Sequence, residues 1–347
     1  MTDKLILKKD HLTAFLRKLR KDYLLVAPLQ NHHGDTLFDQ LDDVDSSALD
    51  LCNQPQNSIK EFMFPQQETL FKYQITETNG YEFTPTTETT APTIYFGVRS
   101  CDVSALLYMD VTFLQTATDP HYLARRQQSV LIGLNCNKPY ANCFCNATKS
   151  GPFLEYGTDL QLTDLGDRFL VEVGRAKGEE IVRKWPHFFN PAEDEDKKLQ
   201  YQVFLETRGG FSQLVHVNQA IKRLNENEVP DSVWATLSQR CQDCGGCTYI
   251  CPTCTCFTIT DQPLSTTEGL RVRSWDGCTF SGFTRMAGGH NPVKRGTGAI
   301  RQRFMHKLHY DVKSHGRPSC VGCGRCVNIC FGGTDIIRFI EMAGQEV

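Results

Sequence analysis

The sequence lacks several features, and each absence removes a class of function. Its formal net charge is −3 over 347 residues, so no basic excess points to nucleic acid or an anionic membrane. Its longest apolar runs, such as residues 130–134, are far shorter than a membrane span. No Gly-x-Gly-x-x-Gly, Walker or His-Glu-x-x-His motif occurs, and nucleotide binding therefore has no support in the sequence.

The first 23 residues also lack the apolar core of a signal peptide, because lysine and aspartate interrupt them throughout. Neither a twin-arginine signal nor a lipobox lies near the start. We therefore predict a cytoplasmic protein without a membrane span.

Cysteine, in contrast, is abundant, with 16 residues in the chain. In a long cytosolic chain this number indicates metal or redox chemistry rather than disulfides. The cysteines are also clustered, since eleven of them lie between residues 241 and 330. The other five are Cys52, Cys101, Cys136, Cys143 and Cys145.

Apolar patterning before residue 235 predicts an α/β domain. Residues 93–98 and 129–136 are short apolar runs typical of buried strands. The segment after the first run has helical spacing, with Ser100 or Asp102 placed to cap that helix. Residues 168–174 alternate like a half-buried strand, and strands that alternate with helices are typical of this fold class.

Further helix and loop predictions place the boundary between two domains. Residues 9–21 and 178–185 have helical spacing, whereas residues 78–92, rich in Thr, Glu and Pro, predict a surface loop. Residues 211–240 predict two helices separated by Pro230. We place an α/β domain over residues 1–235 and a second domain over residues 236–347.

The second domain contains an internal repeat of cysteine spacing. Three cysteines at two-residue intervals are followed by a fourth after three residues, and this pattern occurs twice. The copies are Cys241, Cys244, Cys247, Cys251 and Cys320, Cys323, Cys326, Cys330. Such a repeat is the pseudo-twofold signature of a two-cluster ferredoxin. It predicts a ferredoxin-like α+β domain with two [4Fe–4S] clusters.

The ferredoxin pattern also predicts which cysteines share a cluster. Three cysteines wrap one cubane, while the fourth reaches across to the other. The predicted sets are Cys241, Cys244, Cys247 with Cys330, and Cys320, Cys323, Cys326 with Cys251. Zinc is the alternative, because two Cys-x2-Cys pairs could bind one tetrahedral ion. Zinc, however, requires neither the third nor the fourth cysteine of each copy.

Residues 252–319 separate the two copies, so the domain is elaborated by a long insert. The Arg and Lys side chains of the insert are interpreted as a solvated face or as a docking surface for an acidic partner. Neither cubane needs its three further cysteines, Cys254, Cys256 and Cys278. They pack as small apolar residues, or Cys254 replaces Cys251, or they help to bind another group.

Four cysteines of the N-terminal domain suggest a third site. Cys101 lies at a predicted strand-to-helix junction, Cys136 ends the next predicted strand, and Cys143 and Cys145 follow it. Because neighbouring parallel strands end at the same edge of a sheet, these four thiolates could meet there. A third [4Fe–4S] cluster is our hypothesis, and packing is its alternative. Cys52, alone in a polar segment, is interpreted as incidental.

Six stretches together resemble the iron–sulfur electron-transfer subunits of one family. They are FGVRSCDVSAL, DPHYLARRQQSVLIGLNC, NCFC, CGGCTYICPTCTCF, GFTRMAGGH and CVGCGRCVNIC, and they run from about residue 93 to 335. The family comprises the beta subunits of cytoplasmic sulfhydrogenases, which are [NiFe] hydrogenases, and the iron–sulfur subunit of anaerobic sulfite reductase. One departure is Phe331, which follows Cys330 where ferredoxins commonly have a proline.

The resemblance implies an electron-transfer role and a set of partners. Such subunits pass electrons between a flavin subunit that uses NAD(P)H and a catalytic subunit. The implied partners are a diaphorase-type subunit with the small and large subunits of a hydrogenase, or a siroheme sulfite reductase subunit. The implied cluster ligands are the eight repeat cysteines. The family pattern also includes positions that match the four N-terminal cysteines and Cys254, Cys256 and Cys278.

The resulting interpretation is a relay that itself forms and breaks no substrate bonds. It belongs to a hydrogenase-type complex or, alternatively, to anaerobic sulfite reductase. A second class is a self-contained redox enzyme whose N-terminal cluster has an open position for substrate. A third class is a zinc-stabilised interaction module without redox function.

Overall fold

The computed structural model describes residues 4–44, 48–76, 78, 80–86, 90–115, 117–293 and 296–345. Within these ranges the strands are β1 (Leu5–Lys8), β2 (Leu24–Gln30), β3 (Thr36–Gln40), β4 (Gln67–Ile75), β5 (Tyr81–Pro85), β6 (Thr93–Arg99), β7 (Ser129–Leu134), β8 (Leu160–Asp164), β9 (Arg168–Val173), β10 (Phe189–Pro191), β11 (Phe257–Pro263) and β12 (Glu268–Trp275).

The α-helices of the same ranges are α1 (Leu12–Leu19), α2 (Lys60–Met63), α3 (Ser100–Asp110), α4 (Pro120–Gln128), α5 (Ala176–Lys184), α6 (Asp194–Gly209), α7 (Val217–Asn225), α8 (Asp231–Arg240), α9 (Gly246–Tyr249), α10 (Thr297–Met305), α11 (Asp311–His315), α12 (Arg325–Asn328) and α13 (Ile336–Gly344). Two π-helical turns, Val111–Gln115 and His306–Tyr310, continue α3 and α10. Short 3-10 turns are Lys9–His11, Pro186–Phe188 and Ala287–Gly289.

A mixed sheet of eight strands forms the centre of the N-terminal part. Its order is β10-β1-β9-β8-β7-β6-β2-β3, and β2, β6, β7 and β8 are parallel neighbours. Every residue of β6 and β7 is buried, because apolar side chains cover both faces of these central strands. The predicted mixed α/β architecture is confirmed. The carboxyl ends of β6 and β7 lie side by side, directly before Ser100 and Asn135.

A second, antiparallel sheet has the order β11-β12-β4-β5. It pairs strands from both sides of residue 235, since β4 and β5 precede that position and β11 and β12 follow it. Arg273 of β12 is buried between Glu68 of β4 and Asp119, with ion pairs to both carboxylates. The division into domains at residue 235 stays a prediction.

Four helices of the C-terminal part, α7, α8, α10 and α13, pack around a separate apolar core. The rings of Trp234 and Phe339 stack at 4.9 Å, and those of Phe304 and Phe339 at 4.5 Å. The predicted pair of helices within residues 211–240 is confirmed, and Pro230 immediately precedes the second of them. This core holds the two cysteine loops, because α8 leads into the first loop and α13 follows the second.

Two local predictions are wrong. Neither Ser100 nor Asp102 caps α3: Arg99 holds the cap position, and the buried Asp102 carboxylate is paired with Arg325 instead. The predicted loop of residues 78–92 contains β5, which pairs with β4 through Phe83 and its neighbours. Residues 79 and 87–89 of that loop lie outside the described residues.

None of the described helices is long and apolar enough to cross a membrane.

Candidate metal centres

The two cysteine repeats have the same backbone. Gly245 and Gly324 follow the second cysteine of each copy with φ values of 72° and 76°, and each immediately precedes a one-turn helix, α9 or α12. The equivalent positions Asp243 and Gly322 also have positive φ values, 51° and 60°. Left-handed conformations at matching positions give both copies the tight turns that a cluster-binding loop requires.

The first loop is brought together with the fourth cysteine of the second copy. Burial raises the pKa of the Cys247 thiol, and the nearby thiols of Cys330, Cys251 and Cys244 raise it further, while Arg303 opposes them. Cys330 Sγ accepts a hydrogen bond from the Thr334 backbone N–H at 3.2 Å. An amide that donates to a cysteine sulfur stabilises that sulfur as a thiolate.

The second loop is brought together with the fourth cysteine of the first copy. Burial raises the pKa values of the Cys320, Cys323 and Cys326 thiols, and the Cys251 thiol contributes to the rise at all three. The Cys320 pKa reaches about 12. The crossing pattern of the sequence prediction is thus present in the positions of the side chains, although the assignment of ligands stays a prediction.

Buried cations surround these cysteines. Arg303, in α10, and Lys307, one helical turn later, are 5% and 6% exposed. The thiols of Cys247, Cys326, Cys254 and Cys251 are the groups that most raise the pKa of Arg303. Burial of a cation costs several kcal/mol unless an anion lies beside it. A cluster bound by thiolates supplies such an anion, so the donor set and its surroundings fit iron–sulfur clusters.

A third cysteine group lies at the edge of the larger sheet. Cys101 is in the first turn of α3, Cys136 follows β7, and Cys143 and Cys145 lie in the next loop. Burial raises the pKa of the Cys145 thiol, and the thiols of Cys136, Cys143 and Cys323 raise it further. The structure therefore brings together the four cysteines predicted for a third site.

This N-terminal group rests directly on the second cysteine loop. The Phe144 N–H donates to the Gly322 carbonyl at 2.8 Å, and Ser150 Oγ donates to the Val321 carbonyl at 2.6 Å. A Cβ atom on Gly322 would lie only 2.6 Å from the Phe144 carbonyl carbon, so only glycine permits this approach. The Cys143 thiol also donates to the Cys323 carbonyl at 3.5 Å. The second and third groups are thus neighbours.

The spacing of the cysteines does not fit a single ion. The four ligands of one zinc each lie about 2.3 Å from it and therefore within about 4 Å of one another. In the described part of the chain, no three His, Cys, Asp or Glu side chains are close enough together to hold one metal ion. The cysteine ligands of a cubane bind different iron atoms and lie farther apart.

Sequence patterns did not identify the cations that face the cysteines. The charges of the insert were interpreted as a solvated face or a docking surface, and both interpretations are wrong for Arg273, Arg303 and Lys307, which are buried. The available signal was the spacing of Arg303 and Lys307, which places both on the helical face that carries Ile300, Phe304 and Leu308. Residues 294 and 295 of the insert lie outside the described residues.

Comparisons with known proteins agree with this geometry. Residues 240–334 match the family of 4Fe–4S dicluster domains. Over 338 residues, covering 96% of each chain, the sequence is 28% identical to Sulfhydrogenase 2 subunit beta of Pyrococcus furiosus. The resemblance expected from the motifs is therefore confirmed and extends along nearly the whole chain. The C-terminal part carries a domain of the iron–sulfur type.

Proposed function

We propose that the chain is the iron–sulfur electron-transfer subunit of a cytoplasmic, multi-subunit oxidoreductase. It relays single electrons between a flavin subunit that uses NAD(P)H and the catalytic subunits of a [NiFe] hydrogenase. The chain itself forms and breaks no substrate bonds. The proposal for the partners is supported by the relative from Pyrococcus furiosus, which is named as a subunit of a sulfhydrogenase.

The crossed cysteine groups carry this proposal. Cys330 lies with the first loop and Cys251 with the second, as two neighbouring cubanes require. The proposed ligand sets are Cys241, Cys244, Cys247 with Cys330, and Cys320, Cys323, Cys326 with Cys251. When bound, such clusters accept and donate one electron at a time. Cys251 and Cys247 are close enough for their thiols to interact, so the two sites are adjacent.

The protein's own residues set the conditions for electron transfer. Arg303 and Lys307 hold positive charge beside both cysteine loops, which favours the more negative, reduced state of a cluster. The hydrogen bond that the Thr334 N–H donates to Cys330 Sγ also favours the reduced state of a cluster. The Cys244 side chain is exposed, so the first site lies nearest the surface and is the natural point of exchange with a partner.

The N-terminal cysteines form the third proposed site, a further [4Fe–4S] cluster held by Cys101, Cys136, Cys143 and Cys145. Its contact with the second loop through Phe144 and Gly322 supports this extension of the relay. The three sites would then follow one another from the exposed Cys244 to the edge of the larger sheet.

A specific observation favours a second candidate, a self-contained redox enzyme. A cavity of about 650 Å³ lies outside the carboxyl ends of β6 and β7, and Cys136 and Arg99 line it. The buried Arg99 Nε has no hydrogen-bond partner among the described residues. Crevices at this end of parallel strands commonly bind ligands. In this alternative an N-terminal cluster binds substrate at the cavity.

The hydrogenase relay, the sulfite reductase alternative and the self-contained enzyme differ in the partner proteins that they require. We would isolate the tagged chain anaerobically from its native host and identify the proteins and cofactors that accompany it. The proposal expects a flavoprotein and a nickel-containing protein, with cluster reduction by H2. A siroheme protein would support the iron–sulfur subunit of anaerobic sulfite reductase instead. A chain that isolates alone and turns over an acceptor would contradict the relay and support the enzyme.

A further inference from the structure

A second cavity of the N-terminal part, of about 680 Å³, lies between α6, strands β8 and β9 of the larger sheet, and residues 153–158. This volume is within the range of small-molecule sites in proteins. None of the described cysteines lines it. The proposed clusters therefore do not account for this cavity.

Aromatic side chains form part of its wall and its mouth. The rings of Phe153 and Phe204 meet edge to face at 5.3 Å, and the rings of Tyr201 and Phe204 stack at 6.2 Å. Tyr156 and Tyr201 also line the cavity, yet they are 56% and 61% exposed. Aromatic faces left open in this way are suited to stacking on the flat ring of a heterocycle.

Buried amide groups form another part of the wall. The Gln161 amide nitrogen donates to Asn135 Oδ1 at 2.9 Å, and the Asn135 amide nitrogen donates to Thr163 Oγ1 at 3.0 Å. Gln200 Nε2 donates to the same hydroxyl oxygen at 3.2 Å and to Glu172 Oε2 at 2.8 Å. These hydrogen bonds hold the Gln161 side chain in its orientation.

The Gln161 amide oxygen, in contrast, has no hydrogen-bond partner in the part of the chain that the structure describes. Gln161 is only 6% exposed, and it lines the cavity. Buried side-chain polar atoms nearly always have a partner, and an amide oxygen can only accept a hydrogen bond. Its partner must therefore be an N–H or O–H donor, which a molecule in the cavity can supply.

The charged residues of the wall do not favour an ion as that molecule. Lys4 pairs with Glu172 at 2.9 Å, and Lys197 pairs with an aspartate of its own helix. The other charged residues described along the wall, Arg175 and Glu155, have opposite signs. An uncharged ring therefore fits the cavity better than a small anion or cation.

We propose that this cavity binds a planar heteroaromatic molecule, which stacks on the tyrosine and phenylalanine rings and donates an N–H to Gln161. The rings of flavins and of nucleobases share this chemistry. The site goes beyond the proposed function, which places the flavin on a partner subunit. No sequence motif marks it, because its residues come from two strands, one helix and one loop.

The position of the cavity gives the two kinds of ring different consequences. Asn135, which holds Gln161, directly precedes Cys136. The Cys136 N–H donates to the Pro152 carbonyl at 3.4 Å, and Phe153 of the cavity wall follows Pro152. A flavin would thus place a redox-active ring beside the third proposed cluster, whereas a nucleobase would be a redox-inactive ligand there.

The experiment uses full-length protein purified anaerobically. Part of the sample is denatured, and mass spectrometry identifies any heterocycle that is released. Equilibrium dialysis of the remainder against riboflavin and against adenosine distinguishes the two rings. We expect either a released flavin or nucleotide, or binding of one of the two probes at one site per chain. No released heterocycle together with no binding of either probe would overturn the inference.

The variant Tyr201→Ala locates the ligand. It removes an exposed ring of the cavity mouth and should raise the Kd of the bound probe about tenfold. The matched control is Tyr81→Ala, at a tyrosine of β5 that is 63% exposed and does not line the cavity, and it should leave the Kd unchanged. Equal Kd values for both variants and wild type would place the ligand elsewhere and overturn the inference.

A methylated probe tests the hydrogen bond to Gln161. Riboflavin or adenosine with its N–H donor replaced by N–CH3 should bind about tenfold more weakly than the parent molecule, because the amide oxygen then has no donor. Undiminished binding would contradict the role of Gln161. Iron and acid-labile sulfide should equal the wild-type values in both tyrosine variants. Wild-type protein without any sulfide would instead contradict the proposed function and leave this site intact.

Discussion

Arg325 and Asp102 form a buried ion pair with two hydrogen bonds, of 2.7 and 2.8 Å, between α12 and α3. Asp102 directly follows Cys101, and Arg325 directly precedes Cys326. The pair therefore joins the N-terminal cysteine group to the second cysteine loop. Arg325 Nε also donates to the Pro55 carbonyl at 2.9 Å, so the guanidinium is bonded on both edges. The relative position of two proposed clusters depends on this contact.

The variant Asp102→Ala tests that dependence. It leaves the Arg325 guanidinium buried without its carboxylate, and we expect the free energy of unfolding to fall by about 3–5 kcal/mol. Anaerobic urea denaturation measures the change. The control is Asp42→Ala, which breaks an exposed pair with Arg20 and should cost only about 0–1 kcal/mol. Equal, small losses in both variants would show that the buried pair does not hold the two parts together.

Lys307 should set the reduction potential of the neighbouring cluster. Its pKa lies well above the usual value, since the thiols of Cys251 and Cys254 outweigh the effect of burial, so the side chain remains charged. Removal of this charge in Lys307→Met disfavours the reduced cluster, and we expect a more negative potential, by tens of millivolts as an order of magnitude. Redox titration followed by EPR measures the shift. The control is Lys313→Met, which removes an exposed lysine of α11 and should leave the reduction potential unchanged.

The iron content of a cysteine variant tests whether the N-terminal site binds a cluster. Cys143→Ser combined with Cys145→Ser removes two proposed ligands and should lower iron and sulfide by about four atoms each per chain. Metal and sulfide analysis of anaerobically purified protein checks the loss, with Cys52→Ser as the control. Unchanged iron would mean that Cys101, Cys136, Cys143 and Cys145 are packing residues.

Removal of the clusters should destabilise the C-terminal core. Without thiolate-bound iron, Arg303 and Lys307 are buried cations that have lost their main compensating charge. Oxidative treatment with a chelator should therefore lower the melting temperature, and circular dichroism should show loss of helix. Addition of iron and sulfide under reducing conditions should restore both. A melting temperature independent of iron would show that the cations are compensated in another way.

Local patterns in the sequence predicted the cysteine loops and the central strands, whereas they did not predict contacts between distant residues. The spacing of Cys241 to Cys251 and of Cys320 to Cys330 is local, and the turn geometry that it requires recurs at Gly245 and Gly324. The buried strands β6 and β7 could also be predicted from the sequence, because continuous apolar runs are typical of central parallel strands. Both predictions depend on neighbouring residues alone.

Features that depend on distant residues were missed. The pairing of β4 with β12 joins segments some 200 residues apart in the sequence, and no local pattern specifies it. Asp102 was interpreted as a helix cap because its partner Arg325 is equally distant. Arg303 and Lys307 were interpreted as surface charges because thiolates several loops away compensate them.

The electron-transfer role depends first on the iron and acid-labile sulfide content of anaerobically purified wild-type protein, measured together with EPR after dithionite reduction. We predict at least about eight iron atoms and eight sulfides per chain, with the spectrum of interacting neighbouring cubanes. About twelve of each are expected if the N-terminal site is filled. Zinc without sulfide would contradict the electron-transfer role altogether.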